Sequence, residues 1–193
     1  MRRPFRIELQ PAFWAMLCAY FYFDPAGTFF PFCLSAALHE VGHLLCLHAL
    51  GVRVRSLRLS CCGAVLSIAP LPYGKELVAA ASGPCVNLVL FFLCLRPYPL
   101  TALVNLCLFA YNMLPLYPLD GGRILRAALH LLLSDAAAVQ AERWVSRLCI
   151  AALGAAAAYA SCVLRLGLWP VLVFALLLVR IGGSVRATPP VRA

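Results

Sequence analysis

Apolar residues run almost unbroken along this chain and are parted by short clusters of Arg, Pro, Gly and Asp. A helix of about 20 apolar residues is long enough to cross the roughly 30 Å hydrocarbon layer of a bilayer. Six stretches qualify as candidate spans, at about residues 7–23, 28–50, 75–95, 100–114, 148–164 and 168–181. Asp24-Pro25-Ala26-Gly27 closes the first, Arg96-Pro97-Tyr98-Pro99 turns the third into the fourth, and a Pro/Gly-dense break at 115–122 ends the fourth. Backbone broken in this way is tolerated at membrane depth only where protein or a wet cavity surrounds it. Residues 123–133 then predict a further helix, and 134–147 a more polar stretch. The expected fold is an all-α polytopic membrane protein of about six transmembrane helices.

One interval breaks the helical pattern. Val52-Arg53-Val54-Arg55 alternates with period two, and Leu57-Arg58-Leu59-Ser60 alternates again in shifted phase, which predicts strands with a bulge near Ser56. Cys62-Gly63 can turn the chain into a second strand at 64–68. The expectation is a small membrane-associated β-hairpin between spans two and three.

Composition agrees with a lipid solvent: 64% of the 193 residues are hydrophobic and only 12% charged. The net charge of +9 raises the question of nucleic acid. The Arg residues, however, sit at the ends of apolar segments rather than along a solvated stripe, so no nucleic-acid partner is expected. They report topology instead. With the N-terminus in the cytoplasm, all of the 16 Lys and Arg residues except Arg96 and Arg165 fall on the inside, as the positive-inside rule prefers. Both termini, the far end of span two and the break after span four then share the cytoplasmic side. The ten Cys residues form no CxxC pair, and most read as small buried hydrophobes. The N-terminal run carries no convincing cleavage site and is expected to be a retained span. The chain reads as one integral membrane domain over residues 1–193, with a core at 28–133, C-terminal spans at 148–181 and no soluble regulatory domain.

Candidate chemistry lies where charge interrupts the apolar runs. In His39-Glu40-Val41-Gly42-His43 the two histidines are four apart, so on a helix both imidazoles project from one face and can bind one Zn²⁺. Glu40 lies beside them, placed to take a proton from water at the metal. Ionisable groups inside a span are costly and mark function. A catalytic zinc site needs a third protein ligand and keeps its fourth position open. Asp120, in the Pro/Gly break, is the candidate, although an Asp before Gly121 also suits a helix N-cap. His48 and His130 are not assigned to the metal. Ser82-Gly83-Pro84-Cys85-Val86-Asn87 interrupts span three with Gly-Pro and adds an amide. Asn87 can bond a substrate backbone, orient the site, or bridge helices within the bundle.

Together HEVGH, SGPCVN and the run Asn112-Met113-Leu114-Pro115-Leu116-Tyr117-Pro118-Leu119-Asp120-Gly121-Gly122-Arg123 resemble the site-2 protease family of intramembrane zinc metalloproteases, peptidase family M50. The resemblance is closest to the branch of the stage IV sporulation protease, which processes a membrane-associated pro-sigma factor. It implies that His39, His43 and Asp120 are zinc ligands, that Glu40 is the catalytic acid/base, and that Asn87 matches the family's active-site asparagine and contacts substrate. It also implies a membrane protein substrate, and a membrane inhibitor or regulator as partner. The chain departs from the sporulation branch in having only about a dozen residues after the last span, and no PDZ-like insertion.

Two other classes use similar features. A noncatalytic zinc-stabilised binding or escort protein needs ligands but no general base, and so gives no reason for Glu40. An ion or metal transporter also places ionisable groups in the membrane, but no repeated halves are visible here.

Overall fold

The computed structural model describes residues 6–60 and 63–187, which divide into two compact units, Met1–Met113 and Leu114–Ala193. The expected turn at Cys62 and the tail after the last helix lie outside the described residues.

The first unit begins with strand β1 (Arg6–Leu9) and helix α1 (Pro11–Tyr22). The expected first span therefore divides in two. Arg6-Ile7-Glu8-Leu9 alternates like a strand, and Pro11, with φ fixed by its ring and no N–H to satisfy, occupies the first turn of the helix. At 12 residues α1 is about 18 Å long, well short of the hydrocarbon thickness. Asp24 then organises the start of α2 (Phe29–Ala49). Its carboxylate accepts the Thr28 hydroxyl at 2.8 Å and the Phe29 N–H at 2.7 Å. Partial desolvation pushes the Asp24 pKa up, but these hydrogen bonds outweigh it and hold the group below its ordinary value of 3.8.

A carboxylate with a lowered folded pKa stabilises the fold above its unfolded value, and that contribution disappears as pH falls through the folded value. Asp24→Asn is therefore expected to flatten the acid limb of thermal unfolding followed in detergent. Equal acid slopes in the two proteins would remove Asp24 from this role.

Helix α2 has two faces. Phe30, Leu34, Val41 and Leu45 form an exposed apolar stripe, whereas Ser35, His39, Gly42, His43 and Leu47 are buried. This is the reverse of a water-soluble amphipathic helix, with the polar groups turned inward. Helices α3 (Tyr73–Cys94) and α4 (Pro99–Asn112) pack with α2 and with each other. Small residues permit the close approach. A Cβ on Gly42 would lie 2.7 Å from Val86 Cγ2, while Ala79, Ala80 and Ala102 are buried in the same unit. Helix α3 continues through Gly83-Pro84 rather than breaking there. Its neighbours hold it helical while Pro84 deletes one backbone hydrogen bond.

Between α2 and α3, the expected hairpin is part of a larger sheet. Strands β2 (Ser56–Ser60) and β3 (Gly63–Ser67) pair antiparallel, and β1 adds to β2 in parallel, giving the order β1-β2-β3. Residues 52–55 are not strand, so the predicted bulge at Ser56 is instead the start of β2. Glu8 lies directly opposite Arg58, and their side chains meet at 2.9 Å. The pair fixes register, and its exposure limits its worth to about 0–1 kcal/mol.

The second unit holds α5 (Asp120–Leu132), α6 (Asp135–Cys162) and α7 (Trp169–Ala187). The polar stretch at 134–147 is the first part of α6, which at 28 residues extends about 42 Å. Gly154 of α6 lets the Phe174 ring of α7 approach, since a Cβ there would lie 3.2 Å from it.

Phe30, Phe92, Leu93 and Trp169 are each more than 60% exposed, and many Leu and Val residues accompany them. An apolar surface this extensive calls for lipid. Helices Phe29–Ala49, Tyr73–Cys94 and Asp135–Cys162 are long and apolar enough to cross a bilayer, and Pro99–Asn112 and Trp169–Gly182 are apolar but shorter. The chain is a membrane protein, mostly helical with a small three-stranded sheet.

Candidate active site

His39 and His43 are one helical turn apart on α2, and both are buried. Each ring is tied at Nδ1 to an oxygen on α3. His39 Nδ1 lies 2.6 Å from Asn87 Oδ1, and His43 Nδ1 lies 2.8 Å from the Ala79 carbonyl. The Ser82 hydroxyl donates to the same carbonyl at 2.7 Å and is 3.2 Å from His43 Nδ1.

A carbonyl can only accept, so His43 carries its proton on Nδ1, and the Asn87 oxygen imposes the same tautomer on His39. Both Nε2 atoms then present lone pairs, and they lie 3.1 Å apart. Two such lone pairs repel unless they share a cation. For two imidazoles on one tetrahedral zinc, bond lengths of about 2.0–2.1 Å imply a nitrogen separation of about 3.3 Å. The pair is close to that arrangement, with its rings edge to face at 4.7 Å.

Gly83 supplies the space in front of these atoms. A Cβ built on it would lie 2.3 Å from His43 Nε2 and 2.7 Å from His39 Nε2. Glu40 follows His39 directly on α2 and is half-buried.

Asp120 belongs to the second unit. It is the first residue of α5 and is buried, while Leu119 occupies the N-cap position without a side-chain cap bond. Asp120 thus stands one position inside the helix, not at the N-cap position that the sequence also allows. Arg123, one turn on, brings its guanidinium to 3.5 Å from Asp120 Oδ1. The preceding loop is held by Leu119 N–H to Leu116 O at 2.8 Å, with both leucines buried. Gly122 is required by that loop, because a Cβ there would fall 2.4 Å from the backbone at Leu116 and Tyr117.

Asn87 is 0% exposed, and its amide joins a buried series of polar side chains. Asn87 Nδ2 donates to Asn105 Oδ1 at 3.0 Å, and Asn105 Nδ2 donates to Ser35 Oγ and to the Thr101 carbonyl, each at 2.9 Å. Sequence reasoning did not single out Asn105, Ser35 or the Ala79 carbonyl, and it read Gly83 only as half of a Gly-Pro interruption. An amide in the middle of the apolar run of α4 was the available signal for Asn105, since such a group is costly in a membrane without a partner.

Comparison with known proteins fits this geometry. Residues 93–156 match the family model described as Peptidase family M50. The zinc metalloprotease MJ0392 of Methanocaldococcus jannaschii is 34% identical over 109 residues, covering 50% of this chain and 32% of that protein. A relative from Synechocystis sp. is 36% identical over 109 residues, covering 48% of this chain and 28% of its own length. The chain thus spans about a third of the length of the curated relatives it matches. A solved structure, the site-2 protease from Methanocaldococcus jannaschii, superposes with a TM-score of 0.64 over 97% of this chain and 92% of that one, at 23% identity. The chain has the site-2 protease fold. The M50 match and the zinc metalloprotease relatives each cover half of this chain or less, while the fold likeness extends over 97% of it.

Proposed function

We propose that this chain is an intramembrane zinc metalloprotease that hydrolyses a peptide bond in or near a transmembrane segment of a membrane-tethered regulatory protein. The observation that carries the proposal is the pair of buried imidazoles, both pinned at Nδ1, whose Nε2 atoms converge to 3.1 Å on the helix that also carries Glu40. On the resemblance, Asp120 joins His39 and His43 as a donor set of two nitrogens and one carboxylate, which suits zinc. Zinc held there supplies Lewis acidity and a nucleophile from water at neutral pH. Glu40 accepts the proton from the attacking water and returns it to the leaving amine. Asp120 contributes the third ligand, with Arg123 keeping its carboxylate oriented.

A helical substrate hides its carbonyls, so the scissile segment must unwind. Strand β3 is at the edge of the sheet and can take an extended segment by strand addition. Asn87 already binds His39, so any contact with the freed substrate backbone comes in addition to its orienting role. The basic residues favour a site that opens to the cytoplasm, with about six helices in the membrane. On the branch resemblance, the best substrate candidate is a pro-sigma factor, held in check by a membrane inhibitor.

The test is reconstitution of the full chain with zinc and single-span reporter proteins in liposomes. Cleavage at or near the membrane segment, lost on chelation and restored by zinc, is expected. Reporters that stay intact under zinc loading, with zinc flux across the vesicles instead, would replace this reading with a transporter.

A further inference from the structure

The two histidines are oriented by different means. His43 is pinned directly by a backbone carbonyl, whose polarity cannot be reversed. His39 is pinned by the side-chain amide of Asn87, which could present either its oxygen or its nitrogen. Were the amide reversed, His39 Nδ1 would have to accept, its proton would move to Nε2, and that nitrogen would cease to be a metal ligand. Something must fix the amide.

The buried series beyond Asn87 does so. The Thr101 carbonyl can only accept, so the atom of Asn105 that lies 2.9 Å away is its nitrogen. The other end of the Asn105 amide is then its oxygen, 3.0 Å from Asn87, and the Asn87 atom facing it must be a donor. That leaves the Asn87 oxygen for His39. Ser35 Oγ, 2.9 Å from Asn105 Nδ2, takes the second proton of the same amide. Asn87 and Asn105 are each 0% exposed and Ser35 is 2% exposed, so water does not offer a substitute.

We infer that Asn105 is a positioning residue for the metal site: through Asn87 it transmits the polarity of the Thr101 backbone carbonyl to His39 and so fixes the tautomer that leaves Nε2 for zinc. The inference rests on the zinc reading of the His39–His43 pair and adds to it a residue on α4 that reaches His39 through Asn87. Ser35 has a lesser share, because Thr101 alone still fixes the amide when the serine hydroxyl is removed.

The test measures zinc affinity of the purified full chain in detergent by competition with a chromophoric chelator. Groups that orient metal-bound histidines typically change metal affinity about 10–100-fold when removed. Asn105→Leu and Asn105→Ala should both weaken zinc binding by about that factor. Leu fills the space of the amide and Ala leaves a void, so a purely packing role would separate the two variants, whereas loss of the amide makes them alike. Ser35→Ala should change affinity less than about threefold, a fraction of the same range. Asn105→Leu added to Asn87→Ala should cost nothing further, because the route to His39 is already cut.

Wild-type affinity in both Asn105 variants, or full additivity with Asn87→Ala, overturns the inference while leaving the zinc site intact. Absence of zinc binding by the unaltered chain overturns the site reading itself, a distinguishable failure. Should Asn105→Leu not fold, Asn105→Ala and Ser35→Ala still give the comparison.

Discussion

Glu40→Gln should lower the rate of peptide-bond cleavage by about 10²–10⁴-fold, the usual contribution of a positioned acid/base, while zinc stays at the unaltered protein's stoichiometry. The substitution keeps the side chain's shape and removes its ability to accept a proton. The ligand atoms are untouched: His39 and His43 remain held by Asn87 and Ala79. Binding of substrate should also persist, so the variant can trap its partner, and crosslinking it in native membranes identifies the protein it cleaves. The measurement pairs single-turnover cleavage of a reporter with zinc analysis of the same preparation. Undiminished cleavage would take Glu40 out of the chemistry. A zinc-free variant would mean that the carboxylate holds metal.

Gly83→Ala should abolish stoichiometric zinc binding, with a loss exceeding the roughly 100-fold ceiling typical of an outer partner. The added methyl would lie 2.3 Å from His43 Nε2 and 2.7 Å from His39 Nε2. Neither ring can retreat easily, because each is hydrogen-bonded at its far nitrogen. Helix propensity acts in the opposite direction, since Ala favours a helix over Gly by about 0.8–1 kcal/mol. Pro84 moderates that gain by crowding the residue before it. The expected variant is therefore folded and membrane-inserted but unable to hold zinc, as chelator competition would reveal. Zinc bound with unaltered affinity would place the metal elsewhere.

Spacing of polar residues within apolar runs made the essentials legible. HEVGH puts two imidazoles on one helical face whatever surrounds them, and the structure has them converging on that face. The apolar runs at 28–50 and 75–95 became α2 and α3 within a few residues. Other elements were obscured for identifiable reasons. The four-residue strand β1 abuts an apolar run, and its partner β2 lies about 50 residues away, so local periodicity favoured a span and a lone hairpin over a three-stranded sheet. Residues 134–147 looked like a connection because they are polar, yet they form the start of α6. Gly-Pro in α3 read as a break, whereas packing against α2 and α4 keeps the helix continuous. The least legible part was the surroundings of the histidines. Asn105 is 66 residues from His39 and acts through an intermediate side chain, and Gly83 matters for what it lacks, neither of which periodicity can reveal.

The central claim, that the paired histidines hold a catalytic zinc ion with a carboxylate as third ligand, is tested most directly by zinc analysis and X-ray absorption of the purified chain. One zinc per chain is expected, surrounded by nitrogen and oxygen at about 2.0–2.2 Å, with the bound zinc lost in His43→Ala. Sulfur neighbours at about 2.3 Å, drawn from the chain's ten cysteines, or zinc retained in full by His43→Ala, would contradict it.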